Sequence, residues 1–156
     1  MAGTTLFDAA DALATMLSGR SELLAVKCTV KSGYPGEATQ PLDGYVSWDV
    51  ANWSQSYLVS SSSTGATGLS ANADESFVLQ VRFLATSTDR FRARDLIKAV
   101  ANVTADVCQA DHTLQGTVQL AKVTGLALDQ GLADERNHQV GLTVNVACDA
   151  WIDPGV

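Results

Sequence analysis

Along residues 139–150 the chain alternates without a break: Val140, Leu142, Val144, Val146, Cys148 and Ala150 against Gln139, Gly141, Thr143, Asn145, Ala147 and Asp149. Successive side chains on a strand point to opposite faces, so this run predicts one long strand with an apolar and a polar face. Phe77, Leu79, Val81 and Phe83 predict the inner face of another strand. Leu24, Val26, Cys28 and Val30 alternate with Ala25, Lys27, Thr29 and Lys31 and predict a third. Val46, Trp48 and Val50 share one face of a short strand, and Tyr57-Leu58-Val59 is a further small piece. Val118, Leu120, Val123, Leu126 and Leu128 mark a strand whose phase slips between Leu120 and Val123, the sign of a bulge or bend.

The remaining periodicity is helical. Leu6, Ala9, Ala10, Leu13, Ala14, Met16 and Leu17 recur at helical spacing. Thr4 or Thr5 is placed to cap this helix, Asp8 and Asp11 lie near its positive end, and Gly19 ends it. Ala93, Leu96, Ile97, Val100, Val103 and Val107 line one face of a second helix, opposite Arg90, Arg94, Asp95, Lys98, Asn102 and Asp106. The turn Thr86-Ser87-Thr88-Asp89 precedes it, with Ser87 or Thr88 the expected cap. Gly33-Tyr34-Pro35-Gly36 through Pro41-Leu42-Asp43-Gly44 reads as loop, and Gln130 to Asn137 as a polar connection. From Ser60 to Glu75 the chain is mostly Ser, Thr, Gly and Ala and can bury little apolar area. That segment is expected to be mobile in the isolated chain. It is either a tolerated surface loop or a segment that orders only against a partner, with Ser62, Thr64, Leu69 and Asp74 as contact candidates. The order of elements predicts an α+β domain over residues 1–156, with a mostly antiparallel sheet of four to five strands and two helices packed on one face.

Composition narrows the partners more than the fold. A chain of 156 residues that is 46% hydrophobic can bury a core without a disulfide or metal staple. The formal net charge of −7, spread along the chain, opposes a tight grip on a nucleic-acid backbone. The same repulsion lets a polyanion pass nearby without sticking. Cys28, Cys108 and Cys148 are odd in number and form no CxxC pair, so buried thiols in a reducing compartment are expected rather than zinc ligands. No apolar window reaches the length of a membrane span and the N-terminus lacks the pattern of a leader, so the expected location is the cytosol, without membrane contact.

Candidate chemistry is sparse. Nucleophilic catalysis needs a nucleophile with a base in reach. His112 and His138 both fall in polar connections and are expected to be exposed, and neither has a second His or Cys at metal-ligand spacing. A small α+β enzyme would require one of them in a cleft beside a carboxylate. No phosphate-loop, dinucleotide or nucleophile-elbow motif occurs, and no cofactor is expected. Arg90-Phe91-Arg92-Ala93-Arg94 concentrates positive charge at a helix start, where the dipole does not favour it. This is a solvated face or a set of charges that pairs with an acidic neighbouring chain, so Arg90, Arg92 and Arg94 are candidate subunit-interface residues. Both readings come ahead of nucleic-acid readout, for which three arginines against a net charge of −7 make a thin footprint. Trp48 shares the apolar face of its strand and is expected in the core. Trp151, on the polar side of the last strand, packs at the sheet end or serves an interface, and joins the interface candidates.

The strand Ser76–Phe83, the polar turn, the helix Asp89–Val100 and two long strands separated by Asp129–Arg136 resemble the tail terminator proteins of long-tailed bacteriophages, the minor tail protein U group. The N-terminal helix and the two strands after it fit the same order, and the Ser60–Glu75 segment has no counterpart there. The resemblance implies a structural, non-enzymatic protein of the virion tail, assembled in the host cytoplasm. It implies a homo-oligomer, a hexameric ring on the end of the tail tube. The ring would stop tube polymerisation, touching the tail tube protein on one side and a head-side connector protein on the other. DNA would pass through the lumen without specific binding. The alternatives are another head–tail joining protein or a tube subunit, which polymerises without limit. Closed rings need head-to-tail contact between two different patches of one subunit. The basic start of the second helix and an acidic patch would be its halves.

Overall fold

The two strongest alternating rows lie side by side in the computed structural model, which describes residues 4–33, 41–59, 71–132 and 136–152. Among these residues the elements run α1 (Leu6–Ser18), α2 (Ser21–Ala25), β1 (Val30–Ser32), β2 (Leu42–Trp48), β3 (Ser54–Val59), β4 (Ala71–Ser87), α3 (Arg90–Val100), α4 (Val103–Ala110), β5 (Leu120–Leu132) and β6 (His138–Ile152). They form an α+β fold around a six-stranded sheet of order β1-β2-β4-β6-β5, with β3 added to the far half of β4. Only the β1–β2 pair is parallel among the described strands.

Register explains why the alternation is so clean. Phe77, Leu79, Val81 and Phe83 stand opposite Cys148, Val146, Val144 and Leu142, so both rows fall on one face. All eight are buried. α1 covers the β1–β2 side of that face, α3 crosses β4 and β6, and α4 packs near β5 and α1. Ile97 and Val100 of α3 belong to the same buried cluster as Val144, and Leu96 packs against it. Val144→Ala is therefore expected to cost about 1–3 kcal/mol through lost burial and the cavity left behind. An unchanged urea-denaturation midpoint would show that this face is not the core.

The opposite face of the sheet is a polar ladder. Arg82 donates to Thr143 Oγ1 at 2.8 Å and pairs with Asp129 at 3.0 Å, so one side chain on β4 reaches across β6 to β5. Gly141 lies beneath that bridge. A Cβ there would collide with Asp129 Oδ1 and the Arg82 guanidinium, so the missing side chain leaves room for the ion pair.

Several local expectations change. Residues 24–31 are not one strand: α2 occupies Ser21–Ala25, Lys27 takes a positive φ of 55°, and β1 begins only at Val30. The buried anchor is Leu23, whereas Leu24 points to solvent, and Arg20 O accepts from both of their amides. Ser18 then receives the Val30 amide at 3.0 Å, a side chain serving where a strand neighbour would. β2 starts at Leu42, inside the expected loop, because Leu42, Gly44, Val46 and Trp48 form its inner row. It stops before Val50, where the Asp49 carboxylate accepts from the Ala51 amide and from Asn52 Nδ2 and turns the chain. The second helix breaks at Ala101–Asn102 into α3 and α4. Its cap is Asp89, which accepts from Phe91 N at 2.9 Å, while Ser87 supports the cap by accepting from Asp89 N. On β5 the phase slip falls between Val123 and Gly125 rather than between Leu120 and Val123. Leu120 sits opposite Asp149 on the polar face, and the true inner row runs Ala121, Val123, Leu126 and Leu128.

Candidate functional site

The basic start of α3 is built around a ring. Phe91 is 49% exposed, and the guanidinium carbons of Arg90 and Arg94 sit 4.8 and 5.0 Å from its centroid. Arg90 and Arg94 are four residues apart and so lie on the same side of the helix, and both reach the Phe91 ring. That attraction, with the capping Asp89 carboxylate, offsets the unfavourable dipole at a helix start. Arg92 is exposed but does not join this arrangement.

Beside the ring the surface is concave. A depression of about 970 Å³ is lined by Arg90, Phe91, Arg94, Leu128, His138 and Val140, among others. A smaller apolar groove adjoins it, with Ile97, Leu126, Leu128 and Leu142 in its walls. Leu126 and Leu128 lie on the helix face of β5, opposite Val144 and Leu142, yet they are 57% and 69% exposed. β5 is the last strand in the sheet order, and α3 lies over β4 and β6, so the apolar row continues past the helix that should cover it.

Trp151 is far from this groove. It lies near the opposite end of β6 from His138, a span of roughly 40 Å along the strand. There it stands opposite Asp74, while Asp149 stands opposite both Ser76 and Leu120. The Ser76 hydroxyl donates to Asp149 Oδ1 at 2.8 Å. Trp151 is 62% exposed and Leu120 is also exposed, so an indole, a leucine and two carboxylates share one end of the polar face. Of the expected loop contacts, Ser62, Thr64 and Leu69 lie outside the described residues. Asp74 belongs to β4, which begins at Ala71, so the second part of the expected loop is strand.

The largest polar feature is Glu75, which sequence reasoning had placed in that loop. It continues the inner row of β4 beyond Phe77 and is buried. Its carboxylate accepts five hydrogen bonds: from Thr4 Oγ1, Thr5 N at 2.8 Å, Thr5 Oγ1 at 2.7 Å, Trp53 Nε1 at 2.9 Å and Gln55 Nε2 at 2.9 Å. Burial alone would raise its pKa, but the bonds from Thr4, Gln55 and Thr5 outweigh that and hold it below the ordinary glutamate value. One carboxylate thus ties the start of α1, the start of β3 and β4 together. Period two, counted backward from Phe77, was the signal that could have found it. Thr5 does not cap α1 with its own hydroxyl, which goes to Glu75; Thr4 Oγ1 accepts from Leu6 N instead.

His112 is exposed on a turn, and His138 is half-buried at the start of β6 on the rim of the larger depression. Burial pushes the thiols of Cys28 and Cys108 up to about 11 and that of Cys148 up to about 12, so none is a thiolate near neutral pH. Among the described residues no three His, Cys, Asp or Glu side chains group to hold a metal ion, and no helix is long and apolar enough to cross a membrane.

No protein-family model matches the sequence, and no curated protein matches it. Among solved structures, the chain is similar to one described as "Virion of native gene transfer agent (GTA) particle", at 12% identity and a TM-score of 0.38, covering 94% of this chain and 100% of that one.

Proposed function

We propose that this chain is a structural protein of a phage-like virion that closes as a ring on the end of a tail tube, ends tube polymerisation and presents the surface to which the head joins. The observation that carries the reading is the placement of two unlike exposed patches at opposite ends of β6. One is basic and apolar around Phe91, and the other is acidic and aromatic around Trp151. Unlike patches at opposite ends of a subunit support head-to-tail contacts, and such contacts close into rings when the rotation between copies allows. The order of long strands and α3 is also the order on which the resemblance to tail terminators rests. In this reading the protein catalyses nothing and binds no cofactor. Tail tube protein and a head-side connector are its other partners, and the acidic chain lets DNA pass through the lumen without gripping it.

Deleting the coding sequence from the phage that carries it is the direct test. Electron microscopy is expected to show abnormally long tails or tails without heads, restored to normal when the protein is supplied in trans. Normal-length tails joined to heads in its absence would overturn the terminator reading and leave another head–tail joining or tube-assembly role.

A further inference from the structure

We infer that the patch around Trp151 on one copy of this chain seats in the groove beside Phe91 on the next, and that this is the contact that closes the ring. The inference rests on the ring reading above and names both halves of its interface.

The groove sets what can fill it. Its floor is apolar, through Leu126, Leu128 and Val140, so the occupant must bring apolar area. Its rim carries Arg90, Arg94 and Lys98 against Asp95 and Asp129, and Asp129 is already paired with Arg82, so the cations are in excess in a chain whose formal charge is −7. Neither Arg90 nor Arg94 forms an ion pair among the described residues. The occupant must therefore also bring negative charge. A second copy supplies both from one place. Trp151 and Leu120 provide the apolar area, and Asp74 and Asp149 flank the indole on the same face. Among the described residues neither carboxylate is ion-paired. Among the described residues a Trp of this exposure on an otherwise polar face gains little burial, whereas buried Trp and Arg are the residues that dominate interface energetics. Arg90 and Arg94 are already gathered at the Phe91 ring in the wall of the groove, and guanidinium groups form strong charge-assisted bonds with carboxylates. The polar-face patch and the helix-face groove differ, so the contact is heterologous, as a ring requires.

A rival acidic stretch with an exposed aromatic is α1, which carries Phe7 with Asp8 and Asp11. Phe7 already packs edge-on against Trp48 at 5.0 Å, and Asp8 sits where the helix dipole favours it. Both features have an explanation within the subunit, whereas among the described residues Trp151 makes no ring contact.

Charge exchange tests the inference, using native mass spectrometry and sedimentation velocity on the full chain and addition of the protein to preformed tubes. Arg90→Glu with Arg94→Glu, and separately Asp74→Arg with Asp149→Arg, should each weaken self-association on the order of tenfold to a hundredfold. Trp151→Ala should do so by a similar factor without lowering the denaturation midpoint. Combining the four charge changes in one chain should restore most of the lost association. Mixing the two double variants should restore it as well, because each then meets its complement. The losses should shrink as salt rises, since exposed pairs are screened beyond about 8–10 Å. Three results would overturn the contact: a combined variant no better than the arginine variant alone, Trp151→Ala rings as stable as the wild type, or loss of assembly on reversing Asp8 and Asp11 but not Asp74 and Asp149. Rings that form and still stop tube growth despite these changes would overturn the contact alone. A wild-type chain that forms no closed ring in solution or on tubes would sink the ring reading together with it.

Discussion

Glu75→Ala is expected to lower the unfolding free energy by about 2–4 kcal/mol, a large share of what holds a domain this size together. The substitution leaves donors on Thr4, Thr5, Trp53 and Gln55 without their shared acceptor. Some of them are near enough to the surface to find water, which keeps the cost below the sum of five charged bonds. Glu75→Gln keeps the volume but turns an NH₂ toward the donors, so it should cost about 1–3 kcal/mol. The pH dependence has a definite sign. The folded carboxyl has a lowered pKa, so as pH falls the unfolded chain takes up the proton first. The contribution of Glu75 is complete above the unfolded value of roughly 4.3 and is lost as pH drops through the folded one. The stability gap between wild type and Glu75→Gln, from urea midpoints, should therefore narrow between pH 7 and pH 3. A constant gap would mean that the ionised carboxylate is not what binds α1, β3 and β4 together.

Phe83 and Gly44 make the second large expectation. Phe83 is fully buried on β4 and stands opposite Gly44 on β2. A Cβ on Gly44 would lie 3.0 Å from Phe83 Cε1 and 3.1 Å from Val30 Cγ2, so the ring occupies the space that a side chain would fill. Phe83→Ala is expected to cost about 3–5 kcal/mol, and Gly44→Ala about 1–3 kcal/mol by overpacking. In the double variant Gly44→Ala with Phe83→Leu, the smaller side chain makes room for the added methyl. Its loss of stability should therefore fall short of the sum of the losses for Gly44→Ala alone and Phe83→Leu alone by at least about 0.5 kcal/mol. Strict additivity in a double-mutant cycle would show that the close approach has no energetic weight.

The same pair shows why the start of β2 was missed in the sequence. A glycine at an inner position breaks the apolar alternation, and only the strand opposite reveals that Phe83 fills its place. Glu75 was hidden for a related reason. A carboxylate in an inner row reads as the end of a strand unless its donors are known, and those come from residues 20 to 71 positions away in the chain. Leu24 and Leu120 misled in the opposite direction. Each is an exposed leucine that fell into phase with an apolar row it does not belong to.

By itself the sequence determined the α+β class, the long strands at residues 76–83 and 139–150, the helices that cover them and the core residues they share. Period two and period 3.6 are local consequences of backbone geometry, and a strongly patterned segment expresses them wherever it lies in the chain. It also singled out Arg90, Arg92, Arg94 and Trp151 as interface candidates, because positive charge at a helix start is not favoured by the dipole and an indole on a polar face suits an interface. Tertiary structure alone decided how those residues are grouped. It drew Arg90 and Arg94 around Phe91, left Arg92 aside, set Trp151 beside Asp74 at the far end of β6, and left Leu126 and Leu128 exposed on the last strand beside α3. Strand order and register carry that information, because they are settled by contacts between segments distant in sequence, and no local period records which strand becomes the edge.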